Sequence, residues 1–120
     1  MRLKQKQIKP YRESQLEHQQ CKCKLCGEPL AKEDAVLDHS HKTGHIRGVL
    51  HRGCNALLGK IENNYKRLAV PNLNAFLGGL LPYILSTELD DLHPSYKTED
   101  EKRIRRNKRA KKLRKLKKKQ

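Results

Sequence analysis

The chain has 120 residues and a formal net charge of +15, from 28 Lys and Arg against 13 Asp and Glu. That length holds a single small core, and with hydrophobic residues at 35% and no Trp the core needs a staple, for which a metal site helped by dimerisation is the natural candidate and disulfides the competing one. No run of about 18 apolar residues occurs, which excludes a membrane-spanning helix, and the basic excess points to a polyanionic partner, a class that includes nucleic acid, membrane surfaces and acidic proteins.

Residues 1–20 are polar and basic, and read as a weakly ordered N-terminal arm with a short helix around Arg12 to Gln19. Cys21, Cys23 and Cys26 then crowd into six residues. That spacing suits the wrapping of one ion better than a disulfide framework, and no apolar signal segment precedes it. The reading is a cytoplasmic protein with reduced thiols.

The central unit spans residues 21–68. Its first landmark is Cys23-Lys24-Leu25-Cys26 with Gly27 directly after it, and its second is His51-Arg52-Gly53-Cys54. Thiolates and an imidazole suit tetrahedral zinc, and paired ligands two residues apart let each tight turn present two donors to one ion. Gly27 relieves the backbone where the chain folds round the metal. Cys23, Cys26, His51 and Cys54 are therefore the expected structural zinc ligands, with Cys21 able to replace Cys23 or His51.

Between the ligand pairs, Val36 and Leu37 lead into Asp38-His39 as a short strand. Lys42-Thr43-Gly44 is a turn, and Ile46 to Leu50 is the returning strand. A helix is expected from about Asn55, with Leu57, Leu58, Ile61, Tyr65 and Leu68 on one buried face. The fold class is small α+β, a zinc-clamped ββα unit followed by helices.

Residues 69–96 carry the strongest apolar helical pattern, from Leu73 to Leu85, although Gly78, Gly79 and Pro82 make two short helices or one kinked helix equally acceptable. Residues 97–120 hold 14 basic and 3 acidic residues, a net of +11 against +4 for the rest. Thr98-Glu99-Asp100-Glu101 is a capping box with acids at a helix N-terminus, so this basic tail, an expected polyanion-binding element and with DNA as partner a DNA-binding one, starts as a helix.

Phosphodiester hydrolysis needs an activated water, a cation against the charge building on the phosphate, and relief for the leaving oxygen. Asp38 and the Asn55 carbonyl are hard oxygen donors suited to Mg²⁺, and His39 is the natural base for the attacking water. Asn55 follows a zinc ligand, so the clamp fixes it opposite the hairpin that carries Asp38 and His39. Standing alone, Asn55 would be read as a helix N-cap and Asp38 as a partner for a neighbouring donor. His41 can be a metal ligand, a phosphate contact or a surface histidine; His18, His45 and His93 read as structural or solvent-facing.

Cys23-x-x-Cys26, then Asp38-His39-Ser40-His41 with Lys42-Thr43-Gly44, then an Arg-Gly strand leading into Cys54-Asn55 and Leu57-Leu58-Gly59, resemble the phage recombination endonuclease VII family. The match covers about residues 21 to 60. It implies the ββα-metal, or His-Me finger, fold with a structural zinc, and Mg²⁺-dependent cleavage of branched DNA by an enzyme of the host cytoplasm. The strongest member resolves four-way junctions as an intertwined dimer. By position, Asp38 and Asn55 would bind Mg²⁺, His39 would be the general base and His41 would assist at the phosphate. The family usually has Cys where this chain has His51, so the clamp would be Cys₃His.

The leading expectation is thus a Mg²⁺- or Mn²⁺-dependent DNA endonuclease, with DNA as partner and a homodimer as its assembly. The alternatives are a monomeric nicking or homing-type HNH endonuclease on duplex DNA, and a zinc DNA-binding module without catalysis.

Overall fold

The computed structural model describes residues 1–119, which form four α-helices and a two-stranded antiparallel sheet. Two compact units are present, Met1–Leu80 and the residues from Leu81 onward. The first contains the strand, turn, strand, helix order expected from the sequence.

Helix α1 (Gln5–His18) occupies most of the segment expected to be a loose arm. It is held because Leu16 enters the core and because the Gln19 side chain acts as a rung on the free edge of the hairpin. Gln19 Nε2 donates to the Val49 carbonyl at 2.9 Å, and its Oε1 accepts from the Val49 N–H at 2.8 Å. A single side-chain amide thus pairs with both backbone groups of an edge residue, whose carbonyl also accepts from the Lys24 N–H at 3.2 Å.

Strands β1 (Ala35–His39) and β2 (Ile46–His51) pair antiparallel, with Leu37 opposite Val49 and Asp38 opposite Gly48. His39 then pairs with Ile46, so Arg47 is the extra residue of a β-bulge. The reversal between the strands is tight. Gly44 takes φ +78°, its N–H reaches the Ser40 carbonyl at 2.8 Å, and the Ser40 hydroxyl accepts from the N–H groups of Lys42 and Thr43.

Helix α2 (Arg52–Asn64) begins three residues before the expected start near Asn55. His51 is its N-cap residue, so the second expected ligand pair, His51 and Cys54, spans the cap and first turn of the helix. The core is small: Leu16, Cys23, Leu30, Ala35, Val49 and Leu50 are buried, and Leu37, Cys54 and Leu58 pack against them. Burying one large aliphatic side chain contributes ~1.5–3 kcal/mol. A structural zinc contributes about 10–16 kcal/mol of apparent binding energy in small domains, so an ion in this clamp would outweigh several such side chains.

Helix α3 (Leu73–Ile84) is one continuous helix, with Pro82 accommodated in its last turn. Most of its large apolar residues are exposed, among them Leu81, Tyr83 and Ile84. Helix α4 (Glu99–Lys118) has the expected cap, the Thr98 hydroxyl accepting from the Glu101 N–H at 3.1 Å. Every residue of α4 is exposed. At ~1.5 Å per residue it is a rod of about 30 Å.

Candidate nuclease site and zinc clamp

The first half of the clamp is a tight turn. The Gly27 N–H donates to the Cys23 carbonyl at 2.9 Å, and φ +80° at Gly27 lets the chain reverse so that Cys23 and Cys26 face the same point. The second half is the entry to α2. Donor atoms of Cys23, Cys26, His51 and Cys54 all lie within 4.8 Å of one another. Zn–S bonds of about 2.3 Å in a tetrahedron put sulfurs about 3.8 Å apart, so the four residues stand close enough to hold a zinc ion.

The imidazole supplies the orientation. His51 Nε2 lies 2.9 Å from the Pro29 carbonyl, while Nδ1 lies 3.3 Å from Cys26 Sγ and 3.8 Å from Cys54 Sγ. Donation from Nε2–H to Pro29 leaves Nδ1 as the ligand atom, the arrangement that commonly fixes a metal-bound histidine. The same carbonyl, followed by Cys23, raises the pKa of the free His51 ring. Cys21 is outside the set: it is exposed, in a left-handed conformation (φ 56°), and its N–H closes α1 on the Leu16 carbonyl.

The thiols differ in readiness. Burial alone would raise Cys23, but backbone N–H groups of Cys26, His51 and Leu25, with the His51 ring, bring it down to about 6. Burial, then the neighbouring sulfurs of Cys26 and Cys23, push Cys54 up to about 11. Cys23 therefore gives up its proton more readily than Cys54, and a metal held by all three sulfurs would release the proton of Cys54.

The hairpin carries Asp38, His39 and His41. Asp38 is 7% exposed and is held by Arg47, whose Nε donates to Oδ2 at 2.8 Å and Nη2 to Oδ1 at 3.3 Å. The same guanidinium reaches α2, donating from Nη1 and Nη2 to the two carboxylate oxygens of Glu62 at 3.0 and 2.9 Å. Hydrogen bonds to Glu62, then to Asp38, raise the Arg47 pKa further above its ordinary value. In turn the Arg47 hydrogen bond, aided by the nearby charges of His41 and Lys42, holds Glu62 below the usual carboxylate range. One guanidinium thus bridges two carboxylates, Asp38 on β1 and Glu62 on α2.

His39 and His41 are both exposed, and their rings stack 5.3 Å apart at an interplanar angle of 9°. Asn55 is the fourth residue of α2, half buried, and makes no side-chain hydrogen bond among the described residues. It is therefore not the cap of this helix; His51 occupies that place. Asn55 and Glu62 are seven residues apart on α2 and share a face, the face that Glu62 turns toward Arg47. A cavity of about 260 Å³ opens onto Asp38, bounded by Lys24, Arg47, Gly48 and Leu58.

Sequence reasoning missed Arg47 and Glu62. Neither belongs to a spacing motif, and the bulge that turns Arg47 onto Asp38 is invisible in the alternation of β2. The one available signal was an acid on α2 seven residues after Asn55.

A search of curated proteins returns no match to the chain. The family model of recombination endonuclease VII matches residues 2–77. The match reaches past the motif-bearing residues 21–60 in both directions, into α1 and the first turn of α3. With the ββα unit and the Cys₃His cluster in place, the chain belongs to the recombination endonuclease VII family, whose members are nucleases acting on DNA.

Proposed function

We propose that this nuclease is a Mg²⁺-dependent endonuclease that hydrolyses phosphodiester bonds in branched DNA, four-way junctions foremost. The observation that carries the reading is the contrast between two adjacent residues of β1: Asp38 is buried and clamped through both oxygens, whereas His39 is exposed at the strand end. A nuclease needs that contrast, a fixed hard anion beside a base that solvent and substrate can reach.

The donor chemistry fits the metal. A carboxylate offers about four lone-pair positions, of which Arg47 uses two, and the cavity beside Asp38 leaves room on the open side. Asp38 and Asn55 would hold Mg²⁺ or Mn²⁺. When bound, the ion supplies positive charge against the phosphate and its leaving oxygen. His39 takes a proton from the water that attacks phosphorus, and His41, stacked on it, assists at the phosphate. Zinc in the Cys₃His clamp is structural, holding the Asn55 turn against the hairpin.

DNA affinity draws on α4, where the ion pairs Lys102–Glu99 and Arg103–Asp100 engage only two of many cations. The exposed apolar residues of α3, including Phe76, Leu77 and Leu81, support assembly as a homodimer.

The test is incubation of the pure protein with linear duplex, nicked and four-way-junction DNA, with and without Mg²⁺. The expected result is Mg²⁺-dependent cleavage near the branch of the junction. Equal cleavage of linear duplex would favour the nicking or homing-type enzyme, and cleavage of none of the substrates would leave a zinc DNA-binding module.

A further inference from the structure

A second concavity borders the hairpin on the α1 side. It is open, about 810 Å³, and lies between the N-terminal segment with α1 and the residues around the hairpin turn. Ile8, Leu37 and Ile46 give it an apolar lining, Tyr11 comes from α1, and His45 comes from the hairpin. His39, the proposed general base, lines it as well. Whatever occupies this cleft therefore sits beside the phosphate that His39 serves.

From these contacts we infer that the cleft receives an unpaired, unstacked nucleotide of the DNA substrate, with its base stacked on Tyr11. The inference rests on the proposed nuclease reading and deepens it, because it names what in branched DNA is recognised. Three observations carry it.

The walls combine apolar surface with flat rings. Tyr11 is half buried and makes no side-chain hydrogen bond among the described residues. Tyr65 and Phe76 line a separate cavity between α2 and α3, and among the described residues that line this cleft Tyr11 carries the one phenyl-type ring. Stacking on such a ring tolerates any base, since every base has a π-face.

Charge points to the same occupant. The first twelve residues contain Arg2, Lys4, Lys6, Lys9 and Arg12 and no acid. Arg2 itself lines the cleft, next to where the nucleotide's phosphates would run.

Stacking on Tyr11 selects the state of the DNA. The cleft's volume falls within the range of small-molecule sites, roughly 300–1,000 Å³, which gives room for one nucleotide, and a base inside a duplex has both faces covered by its stacked neighbours. A base can enter only after leaving the helix, and that costs least where it is already unpaired. A single-nucleotide bulge presents such a base outright, and the pairs at a branch point, where the continuous stack is interrupted, open at lower cost than those within continuous duplex.

The experiment uses the full chain with zinc, in EDTA-free buffer containing Ca²⁺ so that binding is read without relying on cleavage. Two duplexes are compared, one fully paired and one with a single unpaired 2-aminopurine. Wild-type protein should bind the second more tightly and quench its fluorescence. Tyr11→Leu should lose about 10-fold to 100-fold of that preference, with affinity for the paired duplex unchanged, and Tyr11→Phe should keep it. His45→Ala, which removes an exposed ring without touching the core, should weaken the preference by itself and guards against misfolding of the Tyr11 variant. Equal binding of the two duplexes by the wild type, or a full preference in both folded Tyr11→Leu and His45→Ala, overturns the inference. Failure of the nuclease reading shows separately, as absence of cleavage in Mg²⁺ with the fluorescence response intact.

Discussion

Arg47 and Asp38 are joined by two hydrogen bonds from one guanidinium to one carboxylate, at 2.8 and 3.3 Å, and the bond partners are only nine residues apart across a bulge. The remaining donors of Arg47 hold both oxygens of Glu62 on α2. The guanidinium is thus a three-way joint between β1, β2 and α2, and it fixes Asp38 relative to the helix that carries Asn55.

Removing the joint should cost stability and leave Asp38 buried without a counter-ion. Breaking one side of a fully buried pair costs about 3–5 kcal/mol; Arg47 and Glu62 retain some exposure, so Arg47→Met should lose on the order of 1–3 kcal/mol in urea unfolding. Glu62→Gln should be milder and should alter the pH profile. Glu62 has a depressed pKa in the folded state, so its contribution is fully present above the ordinary glutamate range and is lost as pH falls through the folded value. The stability difference between wild type and Glu62→Gln should therefore be largest near neutrality and shrink on acidification below about pH 4.5. A difference that stays constant across that window would show that the pairing contributes nothing.

Zinc should be stoichiometric, and its uptake should release protons, because Cys54 stands near 11 in the free clamp. Titration of metal-free protein with Zn²⁺ in weak buffer at pH 8 should acidify the solution. Cys26→Ser, or a strong chelator, should unfold the central unit, since metal affinity and folding are linked in such sites. Elemental analysis finding no tightly held zinc in soluble, folded protein would sink this expectation.

His39→Ala should bind zinc and DNA as the wild type does, because the ring is exposed and outside the core. Cleavage should fall by about 10²-fold or more, the range for loss of a general base. Near-normal cleavage by this variant would move the base role, with His41 next in line through its stacking on His39.

The basic helix should supply affinity and leave the chemistry alone. Each phosphate neutralised contributes about −0.9 to the slope of log K against log salt on duplex DNA. Deleting residues 102–120 should flatten that slope by several units while turnover at saturating DNA changes little. An unchanged slope would show that α4 is not on the DNA, and collapsed turnover would show that it helps to build the site or the assembly.

What could be read from residue order alone is what depends on short separations. Cys-x-x-Cys and His-x-x-Cys present two donors each within one turn, Gly44 closes a tight reversal, and Thr98 caps three acids, so the clamp, the hairpin and the start of α4 were legible. The N-terminal helix was read only as a short stretch, because α1 is held by distant partners: Leu16 in the core and Gln19 on Val49, 30 residues away. Tertiary structure also removed Cys21 from the ligand set, since a left-handed turn points the chain elsewhere, and it took the capping role from Asn55 by starting α2 at the metal turn. The joining of Asp38, Arg47 and Glu62, and the cleft between Tyr11 and His45, were decided there too. A bulge shifts which side chains share a face, and contacts between separate elements depend on how those elements pack, which no local periodicity encodes.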